Sequence, residues 1–188
     1  MSEAEIEFYE RRLAKARVVL EYGCGGSTLM ALASPADKIF SVESDPDWIA
    51  RLRNVPSIVE AESNGRLELF HADVGPVGDW GTPEGPASPG WRVYPLGIWD
   101  RMGSAAPDLC LIDGRFRVAC ALAACTNAPV SDRTVVIHDF WNRPRYHGLL
   151  AFLDLQTGVD TLGVFTPKTK FDRRGAKALL RQSLTDPG

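Results

Sequence analysis

The chain has 188 residues, of which 45% are hydrophobic, and carries a formal net charge of −3 at pH 7. This length and apolar content suffice for one well-buried core, so we expect a single domain over residues 1–188. The charge excludes the overall basic excess that non-specific nucleic-acid binding requires, and no stretch approaches the roughly 20 apolar residues of a membrane span. We therefore expect neither a nucleic-acid partner nor a membrane partner.

The N-terminus and the cysteines indicate a reducing compartment. The first five residues are acidic and lack the apolar core of a signal peptide. The four cysteines form no C-x-x-C pair, and three lie in apolar runs, so we expect buried free thiols and a cytoplasmic protein. Apolar side chains at helical spacing then predict an N-terminal helix within residues 1–16 that caps one end of a sheet.

A glycine-rich turn follows the first predicted strand, at about 17–22, and precedes a helix that extends to Ala33. Glycine is needed in such a turn because the backbone takes a positive φ and approaches a ligand closely. The free amides of the new helix suit a carboxylate or a phosphate, so the turn predicts a site for an anionic small molecule. A dinucleotide fold requires G-x-G-x-x-G, and Thr28 occupies the third glycine position, which disfavours a nicotinamide-dependent dehydrogenase.

An acidic residue ends the second predicted strand, at residues 38–43. Glu43 comes 22 positions after Glu21 and is placed to accept hydrogen bonds from the ribose hydroxyls of a nucleoside. An ordinary exposed glutamate at a strand end has the same pattern. A helix is predicted from about Asp45, and the alternation over residues 66–73 predicts a third strand near the sheet edge.

Residues 74–107 form a Trp-, Gly- and Pro-rich insertion with no clean hydrophobic period. Loops of this length inside a compact domain are usually functional, and its tryptophans are costly to leave in water. The insertion is therefore interpreted as a substrate lid or as an aromatic-anchored surface loop. The sequence does not decide between these two.

Two further predicted strands, at residues 107–114 and 134–139, each bring an acidic residue to their carboxyl ends. These residues are Asp113 and Asp139, with His138 beside the second. Because the carboxyl ends of parallel strands share one edge, this edge is the expected ligand crevice. The remaining predicted elements are a helix at about 147–155, a strand at 160–165, and a closing helix or short strand at 176–184.

The glycine turn resembles the first motif of the class I S-adenosylmethionine-dependent methyltransferases. Glu21, Gly23 and Gly25 match its E-x-G-x-G pattern, and Ser27 replaces the last glycine. The run that ends in Ile112-Asp113-Gly114 resembles the fourth motif of the small-molecule O-methyltransferases. The resemblance covers about residues 17–166. It implies a doubly wound, mostly parallel, Rossmann-like α/β sheet with helices on both faces and the strand order 3-2-1-4-5-7-6, whose seventh strand the sequence does not locate.

The resemblance also implies S-adenosylmethionine as cofactor. The residues that it assigns to cofactor binding are Glu21, Gly23, Gly25, Ser27, Glu43, Ser44, Ala72 and Asp73. In the family, an acidic residue after the third strand receives the adenine amino group, and Ala72-Asp73 matches that place. The family also places the acid of the fourth motif, here Asp113, under the reacting methyl group.

A hydroxyl acceptor must lose its proton, either to a side-chain base or with the help of a metal ion. The metal-dependent members that resemble catechol and caffeoyl-CoA O-methyltransferases use acids that Asp113 and Asp139 match. Their third ligand is matched by Phe140, which has no oxygen to offer, so we expect no divalent metal. The candidate catalytic residues are then Asp113, His138 and Asp139, although a hydrogen-bonded histidine at a strand end explains His138 equally well.

The predicted function is S-adenosylmethionine-dependent methyl transfer to a small-molecule acceptor, through oxygen. The N/D-P-P-Y/F motif of enzymes that methylate base or glutamine amino groups is absent. The alternative is a methyltransferase-like protein that binds cofactor or a partner without turnover. Three arginines near the crevice, Arg115, Arg143 and Arg145, suit a substrate carboxylate or phosphate, or are solvated surface charges. The sequence leaves a homodimer open.

Overall fold

The computed structural model describes residues 1–127 and 133–188. Its strands are β1 (Val18–Tyr22), β2 (Lys38–Glu43), β3 (Leu67–His71), β4 (Leu109–Ile112), β5 (Thr134–Ile137), β6 (Leu153–Val159) and β7 (Leu162–Pro167). Its α-helices are α1 (Glu3–Leu13), α2 (Gly26–Ala33), α3 (Pro46–Leu52), α4 (Pro56–Ser63), α5 (Val93–Met102), α6 (Arg117–Thr126) and α7 (Arg173–Ser183).

The seven strands form one sheet in the order β3-β2-β1-β4-β5-β7-β6. The strands β1 to β5 are parallel, and β7 lies antiparallel between β5 and β6. One core cluster packs α5, α6 and α7 on one face, and a second packs α1, α2 and α4 on the other. The predicted doubly wound, mostly parallel α/β fold and its strand order are confirmed.

The segment at 74–107 contains the helix α5, which the sequence analysis missed. Its buried side chains Tyr94, Ile98 and Met102 recur at helical spacing, but Pro95 and Gly97 obscure the pattern. Pro95 is tolerated because it lies in the first turn, where its missing N–H breaks no helical hydrogen bond. The short helix α4 was not predicted either.

The predictions for the C-terminal third are partly wrong. The predicted helix at 147–155 is a 3₁₀ segment, Pro144–Ala151, and β6 begins at Leu153. The strand predicted at 160–165 is β7, which pairs with β6 in a hairpin. Only Leu153 of β6 is buried and its other six residues are exposed or half-buried, so this edge strand has no clear hydrophobic pattern and escaped detection. The closing element is a helix, α7, and not a strand.

All four cysteines lie in the described part of the chain, and all are buried free thiols, as the sequence predicted. Burial raises the pKa of Cys110 and of Cys125 to about 12, so both remain protonated and pack as small apolar side chains. Among the helices that the structure describes, none is both long and apolar enough to cross a membrane.

Candidate active site

A cavity of about 810 Å³ opens at the carboxyl ends of β1, β2, β4 and β5. The glycine turn forms one wall, and residues that follow β4 and β5 form the opposite wall. The predicted site residues that line the cavity are Gly23, Gly25, Ser27, Glu43, Asp113, His138 and Asp139. Four others, Glu21, Ser44, Ala72 and Asp73, are not part of its lining. The crevice therefore lies at the sheet edge where the sequence analysis placed it.

The glycine turn brings the backbone of β1 against the segment that follows β4. Gly23 has φ +91°, and a Cβ at this position would lie 2.8 Å from the Cα and the amide nitrogen of Gly114. Only glycine fits such a close approach at a positive φ. The helix α2 then begins at Gly26. Thr28 Oγ1 accepts a hydrogen bond from the Gly25 amide at 2.9 Å, but no side chain of the described residues accepts one from the amides of Gly26 or Ser27. The turn therefore presents backbone donors to the cavity, as an anion-binding helix start does.

Glu21 supports this turn from beneath. Its carboxylate is fully buried and accepts hydrogen bonds from the hydroxyls of Ser27, at 2.8 Å, and of Thr28 and Ser41. Burial raises the pKa of Glu21 to about 7, against the hydrogen bonds of the three hydroxyls, which lower it. The side chain thus shapes the glycine turn and does not face the cavity.

Glu43 lies at the end of β2 and faces the cavity. Its Oε1 atom accepts hydrogen bonds from the amides of Ser44, at 2.7 Å, and of Asp45, at 3.1 Å. Residues 78–81 of the insertion fold over this carboxylate, and Ser44 donates a hydrogen bond to the carbonyl of Gly81 at 2.7 Å. A Cβ at Gly81, which has φ +67°, would lie 2.9 Å from Glu43 Oε1. The insertion therefore forms a wall of the site.

Ala72 and Asp73 lie outside the cavity. Ala72 is fully buried, and Asp73 is exposed and accepts a hydrogen bond from the amide of Gly75 at 3.0 Å. Two tryptophans that sequence reasoning did not assign to the site do line the cavity. Trp48 donates a hydrogen bond from its indole to the carbonyl of Cys24 at 2.8 Å, and Trp80 is 87% exposed at the rim. The only signal for Trp80 was the suggestion that the insertion is a lid.

His138 connects the ends of β4 and β5 to the N-terminal helix. Its Nδ1 lies 2.8 Å from Asp113 Oδ1, and its Nε2 lies 3.3 Å from Glu5 Oε2. Burial alone would lower the pKa of His138, but the hydrogen bond to Asp113 and the charges of the three nearby carboxylates raise it. The imidazole is therefore stabilised in its charged form, in which both nitrogens donate. Sequence reasoning missed Glu5, because nothing in α1 signals a contact with a residue 133 positions away.

Arg117 binds both acidic residues of this edge, and its side chain is only 4% exposed. The guanidinium lies 3.2 Å from Asp113 Oδ1 and 3.3 Å from Asp139 Oδ2. It also donates hydrogen bonds to the carbonyls of Gly114, His138 and Asp113. Burial would raise the pKa of Asp139, but the charges of His138 and Arg117 lower it, so Asp139 remains ionised. The sequence analysis gave Arg117 no role.

These side chains do not fit a divalent metal. Asp113 and Asp139 are both engaged by cations, and Phe140, at the third ligand position, is buried with its ring centroid 4.6 Å from that of Phe165. Within residues 1–127 and 133–188, no group of three or more His, Cys, Asp or Glu side chains has an arrangement that could hold a metal ion. A cation would also be repelled by Arg117 and His138.

The contacts of His138 predict that its pKa is raised and that the raise depends in part on the carboxylate of Glu5. In an NMR titration, His138 is expected to titrate above the ordinary value of about 6.5, and Glu5→Gln is expected to lower its midpoint because one carboxylate is lost. Since the folded pKa is raised, the linked stability is fully present below about pH 6.5 and is lost as the pH rises through the folded pKa. Glu3→Gln, an exposed position on the same helix, is the control. An unchanged His138 midpoint in Glu5→Gln would contradict this prediction.

No protein-family model and no curated protein matches the sequence. Among solved structures, the chain is similar to a methyltransferase-like protein from Silicibacter pomeroyi DSS-3, with 32% sequence identity and a TM-score of 0.84. The match covers 100% of this chain and 96% of that protein. Two more distant structures share the fold. One is an O-methyltransferase from Bacillus cereus in complex with S-adenosylhomocysteine, at 15% identity, covering 89% of this chain and 82% of that chain, with a TM-score of 0.60.

The second of these more distant structures is a ribosomal protein L11 methylase from Lactobacillus delbrueckii subsp. bulgaricus. The sequence identity is 13% and the TM-score is 0.54, and the match covers 87% of this chain and 76% of that chain. The named acceptors differ between such structures, so the shared fold does not select the acceptor. The glycine turn, the strand order and the full-length match at 32% identity agree with one another. The chain belongs to the class I S-adenosylmethionine-dependent methyltransferase family.

Proposed function

We propose that this methyltransferase binds S-adenosylmethionine at the glycine turn and transfers its methyl group to an oxygen of a small-molecule acceptor. The observation that carries the proposal is the cavity of about 810 Å³, which joins the glycine turn and Glu43 to the cluster of Asp113, His138 and Asp139. This volume lies within the range of about 300–1,000 Å³ that is usual for small-molecule sites.

The cofactor end of the cavity suits a nucleoside with a charged amino-acid tail. Glu43 supplies a carboxylate for ribose hydroxyls, and the first turn of α2 supplies amides for a carboxylate. Gly23 and Gly25 keep this wall free of side chains. Bound S-adenosylmethionine supplies an electrophilic methyl group, and the chain's task is to hold the acceptor oxygen in line with it.

The acceptor end of the cavity suits a hydroxyl that must lose a proton. Asp113 is the group placed to accept it, because 27% of its side chain is exposed whereas both nitrogens of His138 already face carboxylates. Arg117 and His138 lie beside Asp113 and stabilise negative charge that develops on the acceptor oxygen. The roles of Asp113, His138 and Asp139 as catalytic residues are part of this proposal.

A calorimetric titration with S-adenosylhomocysteine tests the cofactor, with NAD as the control ligand. We expect micromolar binding of the first and none of the second. Glu43→Gln is expected to weaken S-adenosylhomocysteine binding by about 1.5–3 kcal/mol, since a charged acceptor of hydrogen bonds is lost. The matched control is Glu68→Gln on β3, which lies outside the cavity lining. Equal affinities of the two variants would contradict the placement of the ribose at Glu43.

Turnover separates the proposed enzyme from a methyltransferase-like protein that only binds. Transfer of a labelled methyl group to extractable small molecules supports the proposal, and transfer to macromolecules only would overturn the small-molecule acceptor. Cofactor binding without any transfer would favour the alternative without turnover. The alternative without turnover is supported by the ion pairs of the three candidate catalytic residues. Asp113, His138 and Asp139 pair with one another, with Glu5 or with arginines.

A further inference from the structure

Arg115 is a cation of the cavity lining for which the described residues provide no counterion. It lies two positions after Asp113, is half-buried and lines the cavity. Its side chain makes no hydrogen bond or ion pair within residues 1–127 and 133–188, and its buried Nε atom has no partner. A buried donor without a partner costs free energy, and a ligand that accepts from it recovers that cost. Arg115 therefore differs from the other cations of this wall.

The neighbouring cations are already paired. Arg117 binds Asp113 and Asp139, and Arg143 binds Asp139 through a contact of 2.8 Å. This wall therefore has three guanidinium groups and two aspartates, since His138 lies between Asp113 and Glu5. Burial, and then the positive charge of Arg117, lower the pKa of Arg115, as expected for a partly buried cation without a counterion. The local excess is one positive charge, and Arg115 carries it.

The other charged side chains of the cavity lining are at the opposite wall, and Arg145 lies outside the cavity. Glu43, Asp45 and Asp79 line the opposite wall together with one cationic side chain, Arg51, so the side chains of that wall carry a net negative charge. Arg145 does not line the cavity; it is exposed and lies over the ring of Tyr146, 5.3 Å from its centroid. Of the three arginines that the sequence analysis offered for an anionic substrate, Arg115 is thus the one that lines the cavity and has no described partner.

We infer that Arg115 binds a carboxylate of the methyl acceptor, so that the substrates of this enzyme are hydroxy-carboxylic acids. The inference rests on the proposed function and narrows its substrate class. A guanidinium binds a planar carboxylate through two parallel hydrogen bonds, and one carboxylate matches the single excess charge of this wall. A phosphate dianion would overcompensate that charge.

The cofactor's own carboxylate is the competing ligand for Arg115. The uncapped first turn of α2 lies on the glycine side of the cavity and offers backbone amides for it, which leaves Arg115 for the acceptor. The two sources of carboxylate differ in a measurable way. If Arg115 binds the cofactor, loss of its side chain weakens the binding of S-adenosylhomocysteine. If it binds the acceptor, loss of its side chain weakens only the binding of the acceptor.

The probes are the three isomeric hydroxybenzoates and the three corresponding hydroxybenzamides, titrated calorimetrically into protein saturated with S-adenosylhomocysteine. Each amide keeps the shape and the hydroxyl of its acid but lacks the charge. We expect at least one hydroxybenzoate to bind about tenfold more tightly than its amide, as a charge-assisted hydrogen bond allows. Arg115→Met should remove this preference and leave S-adenosylhomocysteine affinity within about twofold, and Arg115→Lys should restore part of the preference. Arg101→Met, an exposed arginine on α5, is the control.

Three results would overturn the inference. The first is that acids and amides bind equally, or that neither series binds. The others are a preference for the acid that survives in Arg115→Met, and a tenfold loss of S-adenosylhomocysteine affinity in that variant. The last result would assign Arg115 to the cofactor carboxylate. A failure of the proposed function can be distinguished from a failure of this inference. If the wild-type protein does not bind S-adenosylhomocysteine, the proposed cofactor is wrong, but the anion site at Arg115 is not yet contradicted. In that case the acid-over-amide preference is scored on the cofactor-free protein.

Discussion

Gly23→Ala is expected to abolish S-adenosylhomocysteine binding and to lower the free energy of unfolding by about 2–5 kcal/mol. The added methyl would lie 2.8 Å from two backbone atoms of Gly114, closer than real Cβ atoms approach backbone, at a φ of +91° that alanine rarely adopts. Gly114 cannot yield freely, because Asp113 beside it is held by Arg117 and by His138. The turn and the end of β4 must therefore separate, and both line the cavity. Calorimetry with S-adenosylhomocysteine and urea denaturation measure the two effects.

Gly148→Ala is the matched control for this substitution. Gly148 is exposed, has an ordinary φ, and a Cβ there would meet no atom within 4 Å. We expect unchanged binding and a change in stability within about 0.5 kcal/mol. Wild-type affinity in Gly23→Ala would show that the turn does not contact the cofactor.

Arg117→Met is expected to cause the largest loss of stability among the site variants, about 3–5 kcal/mol at pH 7. The substitution keeps much of the side-chain length but leaves Asp113 and Asp139 without their shared cation, and it removes donors from the carbonyls of Gly114, His138 and Asp113. Methyl transfer should be lost as well, because these contacts hold both aspartates at the cavity. Urea denaturation and a methyl-transfer assay measure the two effects.

The pH dependence identifies the cause of this loss. The pKa of Asp139 is lowered in the folded protein, so its stabilisation is present above the unfolded value of about 3.9 and is lost as the pH falls through the folded pKa. The destabilisation by Arg117→Met should therefore persist from pH 7 to about pH 4 and shrink as the pH falls further, below the unfolded value of about 3.9. Arg53→Met is the control, since Arg53 contacts Glu62 at 2.8 Å but is half-exposed, and it should cost at most about 1 kcal/mol. A loss that does not depend on pH would assign Arg117 to packing.

Local patterns in the chain were sufficient to predict the five parallel strands β1 to β5 and the glycine turn. Buried parallel strands are short apolar runs that end in acidic residues, and the glycine turn has residue types that only a close backbone approach requires. The C-terminal hairpin was harder, because β6 is a sheet edge whose side chains alternate poorly. The helix α5 was hidden by Pro95 and Gly97, although its buried residues keep the helical period.

The candidate site was only partly predictable for a similar reason. Gly23, Glu43, Asp113 and Asp139 were found because each comes at the end of a strand, and strand ends meet at one edge whatever the other contacts are. Glu21 and Asp73 belong to the same pattern, yet one lies beneath the turn and the other points to solvent. Whether a strand-end acid faces the cavity depends on neighbours that sequence spacing does not record.

Local residue types and their spacing were enough to predict the family and the edge of the sheet where the ligand crevice lies. The strand order was predicted only as what the resemblance to that family implies. The pairings within the crevice became visible in the folded structure: Glu5 of α1 contacts His138, Arg117 lies between two aspartates, and Arg115 has no described counterion. Charge pairing depends on distances of a few ångströms between residues far apart in the chain, and such distances are set when the sheet and its helices pack together.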